Sequence, residues 1–191
     1  LLYVTAGDFL SAIELATLYH QGKFLGSAVG LPSDPTERTL IVADKLRELM
    51  SASAEYAFSP DRLTDSTHVT PDGRGVDRTS LFQGLARVCA RACLSLDDLD
   101  FLFGTLYDKY EDNGIEAIFV GQMEDFIVSG ELRSLPIPVV QRLVAFRRDR
   151  QEYAQAERII WHVDPKSLDL DQALSLCLDR RLYDALIYVF N

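Results

Sequence analysis

The 191-residue chain is short of the features that most function classes require. It has no initiator Met, no charged segment leading into an apolar one as in a secretory leader, and no apolar run near the roughly 20 residues of a membrane-spanning helix. These absences predict a soluble piece cut from a longer protein. Basic residues are scarce as well: 19 Lys and Arg stand against 29 Asp and Glu, a formal charge of -10 that repels phosphate backbones. Nucleic acid is therefore not an expected partner. Three cysteines are an odd number for a disulfide framework, and with no CxxC they fit a reducing compartment such as the cytosol. No glycine-rich phosphate loop is present, because "PDGRG" follows no strand-like run and lacks a Gly-Lys-Ser/Thr ending. Apolar-polar alternation closed by Asn-Gly or Asp-Gly is also missing, so no strand is expected.

What the chain does have is helical punctuation. Apolar residues make up 48% and charged residues 25%, enough for a sizeable core. In "TAGDFLSAIELATLYHQG", Phe9, Ile13, Ala16 and His20 recur at helical spacing, and Gly22 stands where a left-handed C-cap belongs. Next, "SDPTERTLIVADKLRELMSASAEYAF" opens with Asp34 as N-cap, Pro35 in the first turn and Glu37 completing a capping box. Ile41, Leu46, Leu49, Met50 and Tyr56 are the expected buried side of that second helix.

A stretch at 59–76, dense in Pro, Gly, Asp, Ser and Thr, reads as a long flexible loop. Helices then return at short intervals, with Ser95 as an expected N-cap, Gly114 and Gly130 as stops, a start near Pro138, and Asp169 capping a helix with Gln172 as its reciprocal partner. Eight or nine helices result. Three segments echo one another, "FLSAIELA", "GIEAIFVG" and "LYDALIYV", aligned on Ala12, Ala117 and Ala185, where a small side chain would let a neighbouring helix approach.

Helices of similar length, short Gly- or Pro-bearing links and apolar residues on more than one side predict an all-α fold: an α-solenoid of stacked antiparallel helical pairs over 1–191, a fragment of a longer chain. An irregular helical bundle is the competing architecture. The last helix, "LYDALIYVFN", has no stop signal, and Leu182, Ala185, Leu186 and Val189, widened by Tyr188 and Phe190, read as the face on which the solenoid continues.

Chemistry-bearing residues are few. Cys89 and Cys93 lie four apart on one helix face, a spacing two metal ligands can use, but no His or second cysteine pair lies near them and they read as buried thiols. Cys177 with His162 and Asp164 could be drawn as a thiol hydrolase, yet Cys177 lies in an apolar stripe that disfavours a thiolate. His162 reads as a packing or C-terminal dipole residue, and Asp97, Asp98 and Asp100 as first-turn acids. Arg142, Arg147, Arg148 and Arg150, with Arg158 beyond, form a basic segment in an acidic chain, either a solvated face or a docking patch for an acidic partner or lipid headgroups.

Two stretches carry a family likeness: "YVTAGDFLSAIELATLYHQG" at the start and "WHVDPKSLDLDQALSLCLDRRLYDALIYVFN" at the close. They resemble the central helical region of the CORVET-specific vacuolar protein sorting-associated family, number eight of that series. Leu168-Asp169, Cys177 before its charged link, and the run from Leu182 to Tyr188 carry the resemblance, while 59–76 carries none. The family implies a large cytosolic protein with a β-propeller, a clathrin-heavy-chain-like α-solenoid and a RING-type zinc module, neither flanking module being recognisable in these residues. It further implies a membrane-tethering complex in endosomal fusion and endosome-to-vacuole transport. The implied partners are the other CORVET core subunits and an early endosomal Rab GTPase, with peripheral attachment to endosomal or vacuolar membranes. No cofactor or metal is expected. The alternative is a solenoid of another coat, clathrin-like or nuclear-pore type, and an enzyme assembled from distant residues is the opposing class.

Overall fold

A computed structural model describes residues 8–23, 30–59, 67–69, 75–181 and 183–190, with the backbone alone for 67–69, 75–78, 180 and 183–186. Helices dominate it, and the chain divides into two compact units, Leu1–Lys109 and Tyr110–Asn191.

In the first unit, α1 (Phe9–His20) packs on both α2 (Pro35–Ala57) and α3 (Arg78–Leu96), which also pack on each other. α1 starts where the Asp8 carboxylate accepts from the Ser11 N–H at 3.1 Å, one of the donors a helix start leaves unpaired. It ends at Gly22, whose φ of +69° lets Lys23 N–H turn back to the Leu18 carbonyl at 3.0 Å. Its buried side is Ala12, Ile13 and Thr17. The Thr17 hydroxyl is satisfied by donating to the Ile13 carbonyl at 2.8 Å.

α2 begins as its sequence predicts, with Asp34 capping Thr36 N–H at 3.2 Å and Pro35 in the first turn. Its buried stripe runs Val42 and Ala43, Leu46, Met50, Ser53 and Ala54, Ala57, the three-to-four spacing of one helical face. Of the side expected from sequence, only Leu46 and Met50 are fully inside, while Ile41, Leu49 and Tyr56 are half-buried. α3 is buried through small residues, Ala86, Cys89, Ala90, Ala92 and Cys93, which lets its neighbours come close. At Gly84 an added Cβ would stand 2.8 Å from a Leu10 methyl on α1.

The ribbon β1 (Thr67–Val69) with β2 (Gly75–Asp77) corrects the expectation of no strand. The two pair antiparallel, His68 opposite Val76, and the ribbon lies on α3. Three-residue strands are too short to show apolar-polar alternation, so the hairpin signal had no room to appear. Residues 60–66 and 70–74, the rest of the stretch read as a flexible loop, lie outside the described residues.

Ser95 is not the N-cap expected. α3 runs through it to Leu96, Asp97 takes a φ of +53°, and Asp98 N–H returns to the Cys93 carbonyl at 3.0 Å. Asp98 takes the capping role instead, accepting from Phe101 N–H at 3.3 Å. The helix that follows opens with an α-helical pair at 99–100, passes through a π-helical segment, Phe101–Leu106, and becomes α4 (Tyr107–Asp112).

In the second unit, α5 (Glu116–Val128), α6 (Ile137–Asp149), α7 (Tyr153–His162), a 3-10 turn (Pro165–Ser167), α8 (Leu170–Arg180) and α9 (Tyr183–Phe190) follow in order. The α5–α6 link and the α7–α8 link meet at one end, since Asp164 N–H donates to the Arg133 carbonyl at 2.8 Å and Leu135 N–H to the Ser167 hydroxyl at 3.2 Å. Alternate links at the same end are what successive antiparallel helices produce. Their core joins Phe119, Val120, Met123 and Ile127 of α5 with Val139, Val140, Leu143 and Val144 of α6 and Ile159 and Ile160 of α7. Each fully buried side chain of that size stabilises by about 1.5–3 kcal/mol.

Gly114 and Gly130 stop their helices with φ of +69° and +81°, as read from sequence. The internal echo does not carry into packing: Ala12 is buried, but Ala117 sits exposed in the first turn of α5, and the Ala185 side chain is outside the described residues.

Candidate functional site

α6 carries the arginine segment, and its four members meet different fates. Arg142 reaches Glu116 at 3.6 Å, Arg148 lies 3.4 Å from Asp149, and Arg150 stacks over the Phe146 ring at 4.3 Å. Arg147 turns inward. Its Nε donates to Glu124 of α5 at 2.8 Å, and its other nitrogens close on Glu124 and on Glu152 ahead of α7. Burial works against the Arg147 charge, but the hydrogen bonds to Glu152 and Glu124 outweigh it and hold the guanidinium above the ordinary arginine value. Of the segment read as either a solvated face or a docking patch, Arg142, Arg148 and Arg150 lie at the surface, while Arg147 is taken up in holding α5, α6 and the start of α7 together. Glu124, 6% exposed, was not singled out in the sequence, although an acid inside the apolar run "FVGQMEDFIV" is the signal that could have found it.

Of the expected continuation face, Leu182, Ala185, Leu186 and Val189, only Val189 has a described side chain. Val189 is buried, whereas Ile187 and Phe190 are exposed. The cause is the seating of Tyr188, whose hydroxyl donates to the Val163 carbonyl at 3.1 Å while its ring packs 5.1 Å from Trp161. That fixes the rotation of α9 and turns Val189 inward. Leu182 lies outside the described residues, as do the side chains of Ala185 and Leu186. Missed from sequence was the neighbouring stripe on α8, where Leu170 and Leu178 are exposed and Leu174 is half-buried, visible beforehand as leucines four apart.

Between Gln141 and α8 a polar network forms. Asp169 caps Gln172 N–H at 3.0 Å and accepts the Gln141 amide, while the Gln172 side chain donates to the Gln141 carbonyl at 2.9 Å. Gln172 therefore ties α8 to α6 rather than completing a capping box. These bonds, first from Gln172 N–H and then from Gln141, hold the Asp169 carboxyl below its ordinary value.

The thiols are placed for packing. Cys89, Cys93 and Cys177 are buried and free, with Cys93 Sγ donating to Met50 Sδ at 3.9 Å. Burial pushes all three thiols up, Cys93 to about 12. His162 Nδ1 pairs with the Arg158 carbonyl at 2.7 Å in the last turn of α7. His20 of α1 pairs with Ser95 of α3 at 2.6 Å, near Arg47 of α2, which reaches Asp98 at 3.2 Å. Among the described residues, no group of three or more His, Cys, Asp or Glu is placed to hold a metal. No described helix is long and apolar enough to cross a membrane.

Comparison with known proteins adds kinship to this geometry. Residues 118–191 match the family described as the Vps8 central TPR. Vacuolar protein sorting-associated protein 8 homologs of mouse and human are 32% and 33% identical over 94% of the chain. By these matches the chain is similar to the Vps8 family. The Saccharomyces cerevisiae vacuolar protein sorting-associated protein 8 is 22% identical over the whole chain. In length the chain spans 12% of the mouse and human Vps8 relatives and 14% of the yeast one. No solved structure matches the chain. The Vps8 match covers α6 to α9 completely and all but the first two residues of α5, the helices that carry both candidate surfaces.

Proposed function

We propose that this chain is a scaffold segment of an endosomal membrane-tethering complex, without catalytic activity of its own. The observation that carries the reading is kinship to proteins named for vacuolar protein sorting across 94% of the chain. The structure supports it through an all-α architecture whose charged and sulfur-bearing side chains hold helices together: Arg147 on Glu124, Gln172 on Gln141, Cys93 against Met50. In this reading both units serve one solenoid segment that spans distance and presents surface to the CORVET core subunits and an early endosomal Rab GTPase. The whole protein sits peripherally on endosomal or vacuolar membranes and acts in endosomal fusion and transport to the vacuole. Arg142, Arg148 and Arg150 are its docking contacts for an acidic partner or lipid headgroups.

The test is a pull-down of the folded segment against the core subunits and the Rab loaded with GTP or GDP. Capture of a core subunit regardless of nucleotide identifies an assembly element, and capture of the Rab only with GTP identifies a membrane-recognition element. Capture of neither contradicts the reading.

A further inference from the structure

α8 is apolar on two sides. Ala173, Leu176 and Cys177 are buried, while Leu170, Leu174 and Leu178 form a second stripe roughly 100° around the same helix. Leu170 is 49% exposed and Leu178 54%. α9 repeats the arrangement, with Val189 inside and Ile187 and Phe190, three apart on one face, 57% and 58% exposed. The helices before them show what covers such faces. α5, α7 and α9 are successive neighbours, and α6 and α8 each bridge two of them, α6 meeting α5 and α7, and α8 meeting α7 and α9. α7 is consequently surrounded by α5, α6, α8 and α9, whereas among the described residues α9 is in substantial contact with α7 and α8 alone.

We propose that Leu170, Leu178, Ile187 and Phe190 form a stacking face, covered in a longer Vps8-like chain by the helical pair that follows, and not a docking site for a partner protein. Three observations point to a cover in the same chain. The packing rule that places α8 across α7 and α9 places the next bridging helix beside α8 on α9. The family is described as central, and the chain spans only 12% of its mouse and human relatives, which leaves ample sequence to supply a pair. The stripe is also long, running two turns along α8, as a parallel-lying helix requires. Asp171 and Asp179, exposed along one side of it, select an amphipathic cover with Lys or Arg at its flank.

This inference deepens the scaffold reading, and the experiment separates the two. Leu178→Cys and Phe190→Cys are introduced singly into the 191-residue chain and into the full-length protein, each is treated with a maleimide, and modification at the new cysteine is followed by peptide mapping. Variants are accepted when their unfolding midpoint matches the parent, with Leu170→Cys as the substitute position.

The expected result is free reaction in the 191-residue chain and at least about tenfold slower reaction in the full-length protein alone, as a covered site reacts only when it opens. Unslowed reaction in the full-length protein overturns the proposal. So does slowing that appears only with another subunit or with phosphatidylserine vesicles, or that follows the concentration of the 191-residue chain as pairing of two copies would. Protected cysteines without capture of any subunit would sink the tethering role and leave the stacking face standing, and the reverse outcome would do the opposite.

Discussion

Arg147 of α6 donates to Glu124 of α5 at 2.8 Å, and the carboxylate it serves is almost fully enclosed. Glu152 holds the other side of the guanidinium. A charge buried in this way depends on its partner, and removing one member of such a pair costs about 3 kcal/mol or more. Arg147→Met is expected to lower stability by that order and Arg147→Glu by more, while Arg148→Glu stays within about 0.5 kcal/mol of the parent. Urea unfolding of the three variants checks this, and equal stability of Arg147→Met and the parent would remove the clamp. A docking test on this segment therefore belongs on Arg142, Arg148 and Arg150.

His20 makes stability depend on pH. Burial, and then the nearby Arg47 charge, hold its imidazole below the ordinary 6.5. The unfolded chain thus takes up the proton first as pH falls, so the contribution of His20 is complete above 6.5 and is lost as pH drops through the lower folded value. Unfolding free energy measured between pH 8 and pH 5 should decline over the acid part of that range, and His20→Gln should flatten that component. An unchanged slope in the variant would show that the decline comes from elsewhere.

Gln151 closes α6 in the left-handed region, at φ +61°, where its N–H meets the Arg148 carbonyl at 2.8 Å. An L-residue there carries a steric cost that glycine lacks. Gln151→Gly is expected to stabilise by about 0.5–1 kcal/mol, read as a higher unfolding temperature. A fall in that temperature would contradict the assignment of this cap.

Cys89, Cys93 and Cys177 should be silent to a thiol reagent in the folded chain, since all are buried and burial holds each in the neutral form. Reaction should appear only with unfolding, at the rate of global opening in denaturant. Rapid labelling of Cys177 in the native state would reopen its reading as a reactive group.

Helix ends were the most legible part of the fold. Asp34 with Pro35, Gly22, Gly114 and Gly130 act where the sequence places them, because capping is a local reaction between a side chain or a free φ and the nearest backbone groups. Ser95 failed as a cap because α3 continues through it to Leu96, where its hydroxyl pairs with His20, 75 positions away. Gln172 failed as a reciprocal cap because its side chain donates instead to the Gln141 carbonyl, 31 positions away. Local signals cannot register a distant side chain that offers a better bond.

The candidate surfaces were legible in composition but not in orientation. Four arginines in ten residues are visible in the sequence, yet which one is withdrawn depends on Glu124 from another helix. Likewise the apolar residues of α9 were identified, but the contact of Tyr188 with Trp161 and Val163 decides that Val189 goes inward and Phe190 outward.

The most direct test of the scaffold role replaces this segment, in the full-length protein, with an unrelated helical-repeat segment of equal length and measures complex assembly and clustering of Rab-bearing vesicles by light scattering. The scaffold reading predicts loss of assembly or of clustering, with the replaced protein still folded and expressed. Full assembly and undiminished clustering would show that these residues contribute nothing but length.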